Sequence, residues 1–246
     1  MDPIIIIPAR YGSTRLPGKA LHYIAGRMLI EHTVNAARRT GLRIFVATDD
    51  DRIAAAAGAV GCDFVMTGEC ENGTERCAEA AWLLHHNGPV INWQGDSPLV
   101  PAEWIPGLLA ALEEGVSVAT PVQLCSSDHA RWIRDDFAAG KPGATTTAIS
   151  HDFRALYFSK APVPSRGPYW LHIGIYAYTA AALRAYGRGQ TPLEQSEQLE
   201  QLRFLERGIQ IGCVAVNGPP IWEVNNFHDI RIVERMMEER DVSVRR

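Results

Sequence analysis

Short apolar runs alternate with segments of helical spacing through the first half of the chain. The runs are rich in β-branched residues and read IIIIP at 4–8, RIFVATDD at 43–50 and VINWQGD at 90–96. Such runs predict strands that are buried on both faces of a sheet. Between them, apolar residues recur at helical spacing in segments 28–41, 51–61 and 72–88, and Asn72 is the predicted N-cap of the third. This alternation predicts βαβ units, and therefore an α/β fold with a mostly parallel sheet flanked by helices.

The second half of the chain has a different pattern. It predicts helices at 101–115, 191–208 and 228–240, and strands at 116–123, 171–178 and 209–216. The segments TTTAIS and ALYFSK flank HDF at 151–153, which predicts a β-hairpin. No repeat or low-complexity tract interrupts the chain. We therefore expect a single domain over 1–246, with a smaller α+β portion at about 124–190.

Composition and charge exclude several classes of protein. The 246 residues are 46% hydrophobic and 21% charged, with a formal net charge of -4, so no overall positive field favours nucleic acid. The five cysteines form no CxxC pair and no cysteine-histidine metal spacing, which indicates reduced thiols. The apolar run at 4–7 is too short to cross a bilayer, and no later run reaches ~18 residues. We expect a cytoplasmic protein without a membrane or nucleic-acid partner.

The loop PARYGSTRLPGK at 8–19 follows the first predicted strand. It carries Arg10, Arg15 and Lys19 among glycines and hydroxyl side chains. Ligands of α/β sheets bind at the carboxyl ends of strands, where glycines let backbone N–H groups approach phosphates and cations neutralise them. The loop matches neither GxxxxGK[ST] nor GxGxxG. From its composition alone, a phosphate-binding loop and a solvated loop both remain open.

The complete string PAR-x-GS-x-RLPGK resembles the signature of the cytidylyltransferases that activate 3-deoxy-manno-octulosonate (KDO). Further blocks follow in the order of that family: VATDD, NGTERCAEAAW, NWQGDSPLVP, ALYFSKAPVP, LHIGIYAY and TPLEQSEQLEQLRFLERG. The resemblance therefore covers almost the whole chain. It implies a Rossmann-like nucleotidyltransferase fold of the GT-A type. The implied reaction transfers CMP from CTP to an acidic acceptor and releases pyrophosphate.

The resemblance also implies a role for individual residues. The CTP phosphates and the nucleotide would be bound by Arg10, Ser13, Arg15, Lys19, Arg76 and Gln94. The acceptor would be bound by Gln94, His172, Tyr176 and Glu197. Asp96 would bind Mg²⁺ and, with Arg10 and Lys19, form the catalytic group. The portion at about 124–190 would bind the acceptor and form the interface of a homodimer.

Each of these assignments has a structural alternative. Asp96 could cap the following helix, as acids after strands often do. His172 could be a half-buried histidine of the core, and Tyr176 a core aromatic. Glu197 could lie, with Glu194 and Glu200, on a solvated helix face.

The chain departs from the family pattern around the acceptor and the metal. The family carries a GVDTPEDL-like segment whose first Asp completes the metal site, whereas this chain reads EVNNFHDI, with Asn225 at that position. Asn225 can ligate through its carbonyl oxygen but adds no negative charge, which predicts weaker metal binding. Ser97 stands in place of an acid and Thr146 in place of a lysine, and the connection SRGPYWL is short.

These departures suggest two hypotheses for the acceptor and one for loss of activity. The acceptor is either a KDO-like ulosonic acid or a smaller anion, for example a phosphonate such as phosphonoformate. Asn225 also leaves open a catalytically inactive nucleotide-binding relative that acts as a sensor or partner subunit. The intact opening loop and the QGD motif argue against loss of activity.

Overall fold

The computed structural model describes residues 1–13, 15–141, 143–218 and 221–244. The chain divides into two compact units: unit 1 comprises Met1–Glu103 and Pro219–Arg246, and unit 2 comprises Trp104–Gly218. The predicted α+β portion at 124–190 falls within unit 2. The assignment of one domain over 1–246 stays a prediction.

Unit 1 is built on four parallel strands flanked by helices. Its first part contains the strands β1 (Ile4–Pro8), β2 (Tyr23–Ile24), β3 (Arg27–Met28), β4 (Arg43–Thr48), β5 (Asp63–Met66) and β6 (Val90–Trp93), and the helices α1 (Leu29–Arg38), α2 (Asp51–Ala59) and α3 (Gly73–Leu83). The parallel strands lie in the order β5-β4-β1-β6, while β2 and β3 form an antiparallel hairpin. The sequence prediction of a parallel sheet flanked by helices is confirmed here.

The apolar runs form strands because both faces of this sheet are covered. Ile5, Ile6 and Ile7 of β1 are fully buried. Side-chain caps fix the starts of two helices: the Asp50 carboxylate accepts a hydrogen bond from the Arg52 N–H, and Asn72 Oδ1 accepts one from the Glu75 N–H at 2.9 Å. The predicted N-cap Asn72 is therefore confirmed, and each cap satisfies a backbone donor at the end of a helix.

Unit 2 is built mainly on antiparallel strands. It contains α4 (Ile105–Glu113), β7 (Val118–Leu124), α5 (Ser127–Ala138), β8 (Thr146–Ile149), β9 (Ala155–Ser159), β10 (Trp170–His172), β11 (Ile175–Tyr178), α6 (Ala180–Tyr186), α7 (Pro192–Glu197), α8 (Leu202–Glu206) and β12 (Ile211–Ala215). Strand β7 pairs antiparallel with β10 and β11 and parallel with β12, and β8 joins β10 to β9. The predicted hairpin is formed by β8 and β9.

Two predicted elements of unit 2 are broken in the structure. The expected strand at 171–178 is split into β10 and β11, because the Ile173 N–H bonds to Pro121 O and the Ile175 N–H turns back to Ile173 O. The expected helix at 191–208 is split into α7 and α8, because Gln198 adopts the left-handed conformation, with φ of 56°. The sequence analysis also missed β5, α5 and α6.

The chain returns to unit 1 after unit 2 and ends with α9 (Phe227–Val244), which covers the predicted helix at 228–240. A fully or nearly fully buried apolar cluster joins the opening loop to this C-terminal part, and it consists of Leu16, Ile24, Leu29, Leu99, Val224 and Val233. The cluster fixes the loop after β1 relative to the segment before α9. Within the described ranges, every helix is too short or too polar to cross a bilayer.

Candidate active site

The opening loop is folded back on itself at the end of β1. The Ala9 N–H bonds to Ala47 O at 2.9 Å, and the carbonyl oxygen of Tyr11 accepts hydrogen bonds from the N–H groups of Ser13 (2.8 Å) and Gly18 (2.9 Å). Leu16 anchors the middle of the loop in the core. This conformation leaves Arg10 and Arg15 exposed, which is compatible with both a phosphate-binding loop and a solvated loop.

Gly18 gives the loop its last turn before Lys19. Its φ is +66°, and a Cβ atom at this position would lie 2.9 Å from the Tyr11 ring. Only glycine meets both conditions without strain. The turn leads into a short 3-10 helix, Lys19–Leu21, which holds the backbone of Lys19.

Lys19 and Asp96 form an ion pair at the edge of the parallel sheet. Lys19 Nζ lies 2.5 Å from Asp96 Oδ2, and the two side chains are only 19% and 20% exposed. Asp96 follows β6, and Lys19 follows β1, so the carboxyl ends of two neighbouring parallel strands bring them together. The pair places a cation and a carboxylate where ligands of α/β sheets bind.

Gly95 allows the chain to pass close to β1 just before Asp96. A Cβ atom on Gly95 would lie 2.8 Å from the carbonyl oxygen of Pro8, and the hydroxyl of Thr33 donates to Gly95 O at 3.0 Å. Asp96 O in turn accepts a hydrogen bond from the Val224 N–H at 2.9 Å. The backbone of Asp96 is therefore held on both sides, which suits a residue that positions a ligand.

Gln94 and Arg76 lie on the α3 side of the same sheet edge. The Gln94 amide group packs against Gly73, the first residue of α3. A Cβ atom on Gly73 would lie 3.0 Å from Gln94 Oε1. Arg76 is 2% exposed, and its guanidinium donates to the Asp49 carboxylate at 2.7 Å and to the Thr67 hydroxyl. These contacts give Arg76 a clear structural role, and its predicted contact with the nucleotide stays a prediction.

Asn225, whose role as a metal ligand stays a prediction, contacts Arg15. Arg15 Nη2 donates to Asn225 Oδ1 at 2.9 Å. The segment is fixed by Asp229, whose carboxylate accepts hydrogen bonds from the N–H groups of Asn225 (2.8 Å) and Asn226 (2.9 Å) and from Trp222 Nε1 (2.9 Å). The sequence analysis missed this role of Asp229.

Glu223 is the second acid that sequence reasoning missed. Burial and the neighbouring Asp96 raise the pKa of Glu223 to about 7, against the opposite effects of Lys19, of a hydrogen bond from the Asn225 side chain, and of Arg15. Glu223 and Asp96 therefore lie close enough to interact electrostatically. A signal was present in the sequence: positions 223 and 225 are two apart, which places their side chains on one face of an extended segment.

Glu197 is directed at β9 within unit 2. Its carboxylate accepts hydrogen bonds from the Ser159 hydroxyl (3.0 Å), the Tyr157 hydroxyl (3.1 Å) and the Lys160 N–H (3.2 Å). The alternative of a solvated helix face is wrong for Glu194 as well, because Glu194 is 3% exposed and pairs with Arg203. Glu197 is thus held in a fixed polar cluster.

His172 is desolvated and lies among aromatic rings. Its ring centroid is 5.0 Å from Phe158 and 5.5 Å from Tyr176, and Tyr176 is itself buried. Burial lowers the pKa of His172 to about 3, so the ring is neutral at physiological pH. Its Nε2 atom has no hydrogen-bond partner among the residues that the structure describes. Buried polar atoms are rarely left unpaired, so this nitrogen is available to a ligand.

Asp96 and Glu223 are compatible with a magnesium ion that takes its remaining ligands from substrate phosphates and water. In the described ranges, no group of three or more His, Cys, Asp or Glu side chains is arranged to hold a metal by itself. Asp96 and Glu223 nevertheless supply two carboxylates near each other. Mg²⁺ is commonly bound through one or two carboxylates, with phosphate oxygens and water completing the octahedron.

Comparison with known proteins identifies the family of this chain. A family profile described as Cytidylyltransferase matches residues 4–211. The 3-deoxy-manno-octulosonate cytidylyltransferase of Maricaulis maris (strain MCS10) is 41% identical over 249 residues, covering 95% of this chain and 96% of that protein. The 8-amino-3,8-dideoxy-manno-octulosonate cytidylyltransferase of Shewanella pealeana (strain ATCC 700345 / ANG-SQ1) is 38% identical, covering 95% and 98%.

A solved structure shares the fold over its full length. CMP:2-keto-3-deoxy-manno-octonic acid synthetase, solved in complex with CTP, superimposes with a TM-score of 0.84 at 33% identity, covering 98% of this chain and 100% of that chain. The fold and the site define a nucleotidyltransferase. More narrowly, the chain belongs to the 3-deoxy-manno-octulosonate cytidylyltransferase family, and it is a CTP-dependent cytidylyltransferase. The resemblance found in the sequence is confirmed.

Proposed function

We propose that this enzyme transfers CMP from CTP to a ulosonic acid of the KDO type, with Mg²⁺ as cofactor. The observation that carries the choice of acceptor is the buried, unpartnered Nε2 of His172 in unit 2. A neutral imidazole in apolar surroundings can accept or donate a hydrogen bond to a sugar hydroxyl. The names of the relatives, which refer to 3-deoxy-manno-octulosonate and to 8-amino-3,8-dideoxy-manno-octulosonate, support an eight-carbon acid.

Unit 1 would bind the triphosphate. Arg10, Arg15 and Lys19 would neutralise the phosphate oxygens, with the backbone N–H groups and Ser13 of the opening loop as further donors. Two anions have to meet in this reaction, so positioning and charge neutralisation are the main contributions of the protein. Mg²⁺, held by Asp96 and a second protein ligand, would add positive charge at the phosphates.

The reaction itself is a substitution at the α-phosphorus of CTP. An oxygen of the acceptor hydroxyl forms a bond to that phosphorus and gives its proton to solvent water. The bond between the α-phosphorus and the oxygen that bridges to the β-phosphate breaks, and pyrophosphate leaves with that oxygen. Lys19 and the two arginines would stabilise the charge that develops on the pyrophosphate. Glu197 and His172 would orient the acceptor.

The case for a smaller acceptor is weakened by the surroundings of Thr146. Its hydroxyl donates to Ala161 O at 2.9 Å and accepts from the Val163 N–H at 3.0 Å, so it joins β8 to the segment that follows β9. A structural role therefore accounts for this residue without a contracted pocket. The phosphonate hypothesis and the inactive-relative hypothesis find no support among the relatives. A homodimer and a cytoplasmic location stay predictions from the sequence.

The test is pyrophosphate release from each of the four nucleoside triphosphates with Mg²⁺. The acceptors are KDO, 8-amino-3,8-dideoxy-manno-octulosonate, phosphonoformate and a blank. We expect release only with CTP and an octulosonate. Turnover of phosphonoformate without KDO would reverse the choice of acceptor, and CTP binding without any turnover would favour the inactive relative.

The variant H172Q separates acceptor binding from nucleotide binding. We expect it to raise the KM for the acceptor roughly tenfold, as loss of one buried hydrogen bond does, and to leave the KM for CTP unchanged. The matched control is H32Q, since His32 also uses its Nε2 but bonds to Ile24 O. A common effect of both variants on the KM for the acceptor would argue against a contact between His172 and the acceptor.

A further inference from the structure

The segment before α9 is held at two points, which fixes the positions of residues 223 and 225. Val224 is fully buried, and its N–H bonds to Asp96 O at 2.9 Å. On the other side, Asp229 accepts hydrogen bonds from the N–H groups of Asn225 and Asn226. The side chains on either side of Val224 are therefore carried by a backbone that is tied directly to Asp96.

Asn225 is poorly suited to bind a cation in this arrangement. Its carbonyl oxygen, which is the atom that could ligate a metal, accepts a hydrogen bond from Arg15 Nη2 at 2.9 Å. Its side chain also interacts favourably with the Glu223 carboxylate and lowers the pKa of that acid. Asn225 therefore connects a guanidinium to a carboxylate, and a metal ion at its oxygen would have to displace an arginine.

Glu223 is better suited, because its carboxyl group lies within electrostatic reach of the Asp96 carboxylate and Val224, the next residue, is bonded to the backbone of Asp96. It interacts with Asp96, and the cations Lys19 and Arg15 are also within electrostatic reach. Two carboxylates that the fold forces together repel each other unless a cation lies between them or a proton neutralises one. A divalent ion relieves this repulsion and leaves the two basic residues free to bind phosphate.

We propose that Glu223, and not Asn225, is the second protein ligand of the Mg²⁺ site that the proposed function requires. The acidic ligand is at position 223 in place of the predicted position 225. Residues two apart in an extended segment lie on the same side, and the Asn225 side chain orients the Glu223 carboxyl group. The chain thus keeps two carboxylates at the site although position 225 carries no charge.

The direct test measures the affinity for Mn²⁺, as a spectroscopic substitute for Mg²⁺, by electron paramagnetic resonance with and without CTP. No acceptor is needed, so a wrong assignment of the acceptor leaves this measurement unaffected. We expect E223Q to weaken Mn²⁺ binding in the presence of CTP roughly 10-fold to 100-fold, and N225A to weaken it less. The control E69Q makes the same chemical change at an exposed position and should match the wild type.

A double variant that exchanges the acid and the amide between positions 223 and 225 distinguishes loss of a metal ligand from loss of folded structure. The variant E223Q/N225D keeps one carboxylate and one amide across these positions, with their order reversed. We expect it to regain most of the Mn²⁺ affinity that E223Q loses. CTP binding in EDTA and the thermal unfolding temperature report whether each variant is folded.

Three outcomes would overturn the proposal. They are unchanged Mn²⁺ binding in a folded E223Q variant, a larger loss in N225A than in E223Q, and no recovery in E223Q/N225D. Absence of Mn²⁺ binding by the wild type with CTP would overturn the proposed function as well. Failure of the acceptor panel alone would leave the role of Glu223 standing.

Discussion

Lys19 Nζ lies 2.5 Å from Asp96 Oδ2, and the two residues follow neighbouring parallel strands of unit 1. An ion pair this short keeps the lysine pointed at the sheet edge in the absence of substrate. In the proposed function, Lys19 would bind a phosphate oxygen of the triphosphate, and Asp96 would then be free to hold a divalent ion. The pair therefore holds a cation and a carboxylate side by side, and the proposed function assigns phosphate to the cation and Mg²⁺ to the carboxylate.

The first prediction is that Lys19 is needed for the chemical step. Replacing it in K19M removes a positive charge from the departing pyrophosphate, so we expect kcat/KM to fall roughly 10²-fold to 10³-fold. Pyrophosphate release with CTP and KDO measures the effect. The control K141M removes a charge from an exposed lysine and should keep full activity. Near-normal turnover by K19M would mean that the pair with Asp96 is only structural.

The sequence predicted unit 1 well because its signals are local. The apolar run of β1, the cap at Asn72 and the string around Lys19 each lie within a few residues, so periodicity and motif were sufficient. Glu223 was missed because its relation to Asp96 depends on a backbone contact, Val224 N–H to Asp96 O, between residues far apart in the chain. The spacing of positions 223 and 225 relates their two side chains to each other, but no local pattern encodes the contact with Asp96.

The break between α7 and α8 shows a different kind of failure. Glu194 and Arg203 are nine positions apart, and on one continuous helix of 3.6 residues per turn they would point in opposite directions. The left-handed residue Gln198 ends α7 and lets the two side chains meet. Gln carries no helix-stop signal, because left-handed conformations are typical of Gly and Asn. The sequence therefore predicted one helix where tertiary packing makes two.

The second prediction concerns this buried pair. Arg203 donates to both Glu194 oxygens, at 2.6 and 2.8 Å, and the arginine side chain is fully buried. Removing one partner leaves a buried charge unpaired, so R203M should lower the free energy of unfolding by about 3–5 kcal/mol. Urea unfolding measures the change.

A matched control for R203M is the exposed pair between Arg43 and Asp63. Its side chains are 69% and 58% exposed, so water screens the interaction. The variant D63N should change the free energy of unfolding by less than about 1 kcal/mol. Equal effects of R203M and D63N would contradict the argument from burial.

The third prediction is that Gly95 tolerates no side chain. The Cβ atom of G95A would approach Pro8 O to 2.8 Å, and a backbone oxygen cannot move aside as a side chain does. We expect a loss of about 1–3 kcal/mol in the free energy of unfolding, as measured in overpacked cores. The control is G12A, whose Cβ atom has no neighbour within 4 Å. G12A should be neutral or slightly stabilising. A similar loss of unfolding free energy in both variants would contradict the steric explanation.

The fourth prediction is that His172 makes stability depend on pH in the acid range. Burial lowers the pKa of His172 to about 3 in the folded chain, whereas an unfolded histidine titrates near ~6.5. Above the unfolded pKa both states are neutral and stability is unaffected. As the pH falls from the unfolded pKa toward the folded one, only the unfolded chain gains a proton, so the folded state loses stability.

The measurement compares urea unfolding of the wild type and H172Q at pH 7 and pH 5.5. One group contributes at most about 1.4 kcal/mol per pH unit, so the wild type should lose up to about that much more than H172Q over this interval. The rings of Phe158 and Tyr176 face the imidazole, and the backbone N–H of His172 is bonded to Thr145 O, so the shift has burial as its cause. The control H151Q, at an exposed histidine, should retain the wild-type pH dependence. An identical pH dependence in H172Q and the wild type would show that the imidazole is hydrated in solution, and would remove the basis for its role as a ligand of the acceptor.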